Sequence, residues 1–170
     1  VSPDVGGVAR AFPDLPLPFP PGTSSWYALL ELSDSESEQH ARERFEAVLG
    51  EALEQGLASD AVIAANLAQS AALWHVRESI PLAEATLGKA VKHDISVPVS
   101  RMAGFVASTD AAIGARFKGV RHVIFGHLGD GNLHYNVQAP DGQDAETFLR
   151  EQEGPVNAVV YALVDAFNGS

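Results

Sequence analysis

Hydrophobic positions recur at spacings that predict helices alternating with strands. Residues 26–32 read as a strand, and 33–37 as a polar turn. Ala41, Phe45, Val48, Leu49 and Ala52 repeat at helical spacing to about residue 55, where Gly56 stops the helix. Residues 61–65 form a short candidate strand. Residues 66–80 carry the stripe Leu67, Ala71 and Trp74, with Trp74 assigned to the core and Pro81 ending the helix. From 91 to 97 the pattern alternates: Val91, His93, Ile95 and Val97 face one way, and Lys92, Asp94 and Ser96 the other. Pro98 opens a helix with the stripe Met102, Phe105, Val106, Thr109, Ile113 and Phe117. Residues 120–127 and 133–138 predict a hairpin. A last helix starts near 144 and restarts at Pro155, with Val156, Val159, Val160, Leu163 and Phe167 on its apolar face. The hairpin rules out an all-parallel sheet. The predicted class is α+β, an antiparallel or mixed sheet with helices packed on one face in a ferredoxin-like arrangement.

Six of the ten prolines lie within the first 21 residues, so 1–24 read as a linker or arm, ordered or disordered, ahead of a domain over 25–170. No internal repeat is evident. The chain begins at Val1 and its one methionine is Met102, which suggests a piece of a larger protein. With 170 residues, 46% hydrophobic and 19% charged, the chain has material for a single core. Having no cysteine, it excludes disulfides and thiolate chemistry. A net charge of −11 argues against nucleic acid and anionic membranes as partners. No apolar run approaches the roughly 18 residues of a membrane span, and no signal peptide is evident, so a cytoplasmic location is expected.

Chemistry concentrates in the hairpin. Asp130-Gly131 between two strands predicts a two-residue type I′ turn. That register sets His127 opposite His134 and Phe125 opposite Asn136, with facing Cβ atoms about 4.5–5.5 Å apart. Two imidazoles on one face suit a divalent metal, although catalytic zinc normally takes three protein ligands. Asn136, on the same face, is placed to donate to a ligand. The plainer alternative has both histidines bonded to each other or to water; the surrounding Gly126, Gly129, Asp130 and Gly131 favour function, because glycines without a task cost stability.

A second constellation is cationic. Residues 1–85 hold 4 basic and 13 acidic side chains, residues 86–170 hold 7 and 9, and within 89–121 six cations face only Asp94 and Asp110. A local positive field in an acidic protein suits a small anion. Arg77 and Lys92 are the candidate ligands, Arg as a bidentate fork and Lys as a point charge. For Arg77 an ion pair with Glu78, Glu84 or Asp94 stands equally open. Arg116, Lys118 and Arg121 read as a solvated helix end, and His40, His75, His93 and His122 as surface or packing residues.

The run Gly126-His127-Leu128-Gly129-Asp130-Gly131-Asn132-Leu133-His134 resembles the signature of the C-terminal domain of FAD-linked 2-hydroxy acid dehydrogenases. This group, in the vanillyl-alcohol oxidase superfamily, includes D-lactate dehydrogenase, the glycolate oxidase flavin subunit and D-2-hydroxyglutarate dehydrogenase. Trp74-His75-Val76-Arg77-Glu78 and Lys92-His93-Asp94-Ile95-Ser96-Val97-Pro98 are similar to two further family segments, in the same order. The resemblance implies a separate N-terminal domain that holds most of the FAD, with the present domain capping the flavin and forming the substrate pocket. It implies His127 and His134 as ligands of a divalent metal, usually zinc, and Arg77, Lys92 and Asn136 on the carboxylates of a small 2-hydroxy acid. The reaction so implied is D-2-hydroxy acid to 2-oxo acid, with the hydride passing to flavin. No catalytic or flavin-binding residue is assigned, and this chain alone is expected to be inactive. There are two departures. The family's Glu-His-Gly segment, carrying a third metal ligand, is expected beyond Ser170, and Pro81 stands where D-2-hydroxyglutarate enzymes tend to carry threonine. A stand-alone metal- or small-acid-binding module and a protein-interaction domain are the competing readings.

Overall fold

Strand alternation in 90–96 and 121–138 builds an antiparallel sheet, and the helical stripes cover it. The computed structural model describes residues 5–170. The elements are α1 (Val5–Ala11), α2 (Glu38–Glu54), α3 (Leu67–Glu78), α4 (Ile80–Leu87), β1 (Ala90–Val91), β2 (Asp94–Ser96), α5 (Met102–Arg116), β3 (Arg121–His127), β4 (Asn132–Gln138) and α6 (Ala145–Ala166). The central strand is β4, with β3 along one edge and β1 and β2 end to end along the other. Val91 pairs with Val137 and Asp94 with His134, one register across the gap, so Lys92 falls opposite Asn136. The Tyr135 N–H donates to the His93 carbonyl at 3.0 Å, continuing the ladder through the gap.

Strand parity separates core from site. Val91, Ile95, Ile124, Leu133, Tyr135 and Val137 point to one face and pack against α5 and α6. The predicted α5 stripe is buried from Met102 to Phe117. Inside this core the Tyr135 hydroxyl donates to Asp110 Oδ1 at 2.6 Å. Burial, then the bond to Asp110, pushes the phenol far above its ordinary value. His93 is also buried here, as its place in the alternation predicts; Nδ1 donates to the Tyr135 carbonyl at 2.6 Å, and Nε2 lies 2.9 Å from the Asn157 carboxamide.

The α+β class with an antiparallel sheet is as expected. The opposite face also receives partial cover: Val123 and Phe125 pack with Val8 of α1, Val76 of α3, and Ile80 and Ala83 of α4. Polar residues of that face hold α4 in place. Gln138 Nε2 donates to the Glu84 and Gly88 carbonyls (3.3 and 3.4 Å), and Arg121 Nη2 to the Leu87 carbonyl (3.4 Å), satisfying acceptors that a helix C-terminus leaves unpaired.

Several local expectations are corrected. Residues 26–32 form no ladder strand, only an isolated bridge at Tyr27, and 61–65 are irregular. Neither run joins the sheet, although the outer edges of β3 and of β1 and β2 carry no further strand among the described residues; a strand-like composition does not by itself place a segment on an edge. The helix predicted over 66–80 divides at Ser79, and Pro81 sits in the first turn of α4, where its missing N–H has no intrahelical partner to lose. Trp74 is not in the core: it is 40% exposed and donates from Nε1 to Glu31 at 3.1 Å, while Val76 is what α3 buries. Pro155 does not restart a helix; α6 is continuous, because Phe148, Val156, Val160 and Val164 bury one shared face on both sides of it. Arg121 belongs to β3, not to a helix end. Among the described residues, no helix is long and apolar enough to cross a membrane.

Candidate functional site

The connection from β3 to β4 has four residues, not two. Leu128–Asp130 makes a 3-10 turn and Gly131 closes it at φ 77°, while Asp130 Oδ1 accepts the Asn132 N–H at 3.0 Å. A type I′ turn needs two positions of positive φ, and here only Gly131 has one. The register therefore differs from expectation by two residues: His127 pairs with Asn132, Phe125 with His134, and Val123 with Asn136. A two-residue shift preserves strand parity, so His127, His134 and Asn136 still share a face. The histidines become diagonal neighbours instead of a facing pair. Glycine is required at both ends of this loop. A Cβ on Gly126 would strike the Asn132 carbonyl and Leu133 Cα, and one on Gly131 would strike the Val97 carbonyl.

The site face reads as rows across β4. Asn132 lies between His127 and Ser96, His134 between Phe125 and Asp94, and Asn136 between Val123 and Lys92. Helix α4 covers the Asn136 end, and the His127 end is open. Asn136 is buried and its Oδ1 accepts the His93 N–H at 3.3 Å, which fixes the other end of the amide as a donor. His134 is partly exposed, its Nδ1 3.6 Å from Asp94 Oδ1; Asn132 Nδ2 donates to that same oxygen at 2.8 Å. His127 is exposed.

Arg77 reaches this face from α3. Its guanidinium lies 5.3 Å from the centre of the Phe125 ring, and that ring is 4.7 Å from the His134 ring, so the three stack. Partial burial draws Arg77 below its usual value, opposed by the charge of Glu78. No described carboxylate lies within ion-pair distance of it. Lys92 is paired instead, its Nζ 3.2 Å from Oε2 of buried Glu84. All five residues singled out from the sequence thus meet on one face. Phe125 and Glu84 were not recognised there as site residues. Phe125 was set opposite the wrong partner by the assumed turn, and Glu84 appeared only as a possible partner for Arg77.

The donors for a divalent metal are right in kind and short in number. Among the described residues, the one set of three donors within 4.8 Å of each other is Asp34, Glu36 and His40, in the turn that opens α2. His127 and His134 offer two imidazoles without a third ligand, whereas catalytic zinc normally takes three. These residues do not complete a metal site. A cavity of about 1450 Å³ between α2, α3 and residues 26–32 and 57–67 is bordered by Arg77 but by neither histidine.

The face thus carries two imidazoles, an amide donor and two cations, together with the carboxylates of Glu84 and Asp94. Residues 9–169 match the family described as FAD linked oxidases, C-terminal domain, and the chain belongs to that family. It is 35% identical over 159 residues to a D-2-hydroxyglutarate dehydrogenase of Stutzerimonas stutzeri (strain A1501), covering 92% of this chain and 33% of that protein. It is 38% identical over 148 residues to the mitochondrial D-2-hydroxyglutarate dehydrogenase of Rattus norvegicus (86% and 26%), and 38% over 124 residues to that of Arabidopsis thaliana (72% and 21%). The chain spans a third or less of the length of these relatives.

Proposed function

We propose that this domain binds the substrate of an FAD-dependent oxidoreductase that converts a D-2-hydroxy acid to the 2-oxo acid. The convergence of His127, His134, Asn136, Lys92 and Arg77 on one face, open at its His127 end, supports the reading. Family membership and the names of the relatives point the same way.

Arg77, resting on Phe125, grips a carboxylate with its planar fork. Asn136 donates from an amide whose oxygen is already committed, so its orientation is set before substrate arrives. Together they hold the acid with its hydroxyl-bearing carbon toward His134, and Lys92, in the same row as Asn136, adds positive charge for a second, distal carboxylate. Bound flavin, carried by a further domain, supplies the hydride acceptor. His127 and His134 are offered as two ligands of a divalent metal, zinc by the family resemblance, with a further donor required. Of the 2-hydroxy acids, D-2-hydroxyglutarate has the support of the relatives' names, while Pro81 departs from the threonine expected for it.

The test assays the flavin-loaded full-length protein against D-lactate, glycolate and D-2-hydroxyglutarate with an artificial electron acceptor. Turnover of at least one, abolished by Arg77→Met, is the expected result. Flavin-loaded protein that oxidises none of them refutes the proposal.

A further inference from the structure

Arg77 and Lys92 are not equivalent. Arg77 has no carboxylate partner among the described residues, whereas Lys92 is already bound to one belonging to the protein. Glu84 is 1% exposed, its Oε2 accepts from Lys92 Nζ at 3.2 Å, and its Oε1 is buried with no hydrogen-bond partner. The Lys92 side chain is 59% exposed. The pair is therefore held by the needs of the buried end: without Lys92, the carboxylate would be a buried charge with neither oxygen satisfied. Nor can α4 easily carry Glu84 away, because Gln138 and Arg121 fix its last turn to the sheet.

We infer that Glu84 is a specificity-determining residue that neutralises Lys92 from α4 and so weakens the grip of the site on a substrate's distal carboxylate. The inference rests on the substrate-binding reading above. Lys92 sits in the Asn136 row under α4, one row further from His127 than His134 is, on the side that receives the part of the acid remote from the hydroxyl. A distal carboxylate arriving there cannot take Lys92 outright, since that would strand Glu84. It can only share the ammonium, which has three donors, and then two carboxylates crowd one cation. Arg77 is left as the principal anion anchor. A short monocarboxylate that never reaches Lys92 is indifferent to the pair.

The test is a double-mutant cycle in the flavin-loaded full-length protein, reading KM and kcat for D-2-hydroxyglutarate and D-lactate. Calorimetric Kd for glutarate, an unreactive dicarboxylate, gives a readout independent of turnover. Glu84→Gln and the apolar isostere Glu84→Met should each lower glutarate Kd and D-2-hydroxyglutarate KM by about tenfold, the scale of one nearby like charge removed. The expected D-lactate KM and kcat lie within about twofold of wild type, and in a Lys92→Met background the gain in glutarate affinity from the Glu84 changes should shrink, because no ammonium remains to be freed. If Lys92→Met weakens glutarate binding but neither Glu84 variant strengthens it, the inference fails and the substrate reading stands. An equal change for D-lactate also overturns it, as that marks a general loosening of the pocket. Wild-type protein that neither binds glutarate nor oxidises either acid removes the reading itself.

Discussion

Gly131→Ala tests whether the loop geometry, and not glycine content as such, secures the site. Gly131 has φ 77°, and a methyl there would be driven into the Val97 carbonyl. Placing an L-residue in the left-handed region costs about 1–2 kcal/mol. Relief of the clash must move the loop away from Val97, whose N–H donates to the Gly131 carbonyl at 3.1 Å; losing that bond adds about 1 kcal/mol. The total of about 2–3 kcal/mol corresponds to a fall in Tm of about 4–12 °C for a chain of this size. Gly129, two residues earlier in the same loop, is the control: it has no positive φ, and a Cβ there meets nothing within 4 Å. Gly129→Ala should stay within about 0.5 kcal/mol. Thermal melts followed by circular dichroism, with urea titrations to check the slope, measure both. A Gly131→Ala protein melting within about 2 °C of wild type, or a Gly129→Ala protein equally damaged, would refute the reasoning.

Truncating Phe105→Ala, at the fully buried centre of the α5 stripe and edge-on to Tyr135 and Phe167, should cost about 3–5 kcal/mol in urea denaturation. Tyr135→Phe should cost about 1–2 kcal/mol through loss of the bond to Asp110, with little change in fold by circular dichroism. Burial holds His93 below its usual value of 6.5, against the raising effects of the Tyr135 carbonyl, Asn157 and Glu153. The unfolded chain therefore takes up a proton first on acidification. The stability that neutral His93 contributes is complete above about pH 6.5 and is lost as pH falls below it, so denaturant midpoints should drop between pH 7 and 5, and less steeply in His93→Gln. In the flavin-loaded protein, Phe125→Leu should raise substrate KM several-fold by removing the ring under Arg77, with flavin content unchanged.

The two faces of the sheet were legible because alternation over 91–97 and the stripe of α5 each carry one period without interruption. Site membership was legible for a related reason. Asn136, His134 and Lys92 sit at positions whose parity no turn length of even error can change. The register itself was not legible, since Asp-Gly fits a two-residue reversal as well as the end of a 3-10 turn, and the choice rests on Val97 packing against Gly131. Residues 26–32 show the limit from the other side, a strand-like run that joins no ladder although the outer edges of the sheet are unpaired among the described residues. The Glu84–Lys92 pair is invisible to periodicity, because it joins two elements whose relative placement depends on Gln138 and Arg121 reaching the end of α4.

One strand, β4, is at once the floor of the binding face and the wall of the core: Leu133, Tyr135 and Val137 cannot be exchanged without shifting His134 and Asn136 between them. New substrate preferences are thus hard to acquire by altering that strand. Helix α4 lies over the face without belonging to the sheet, and its exposed or loosely satisfied positions are free to vary at small structural cost. Divergence among proteins built on this scaffold should accordingly be written in the roof and not in the floor.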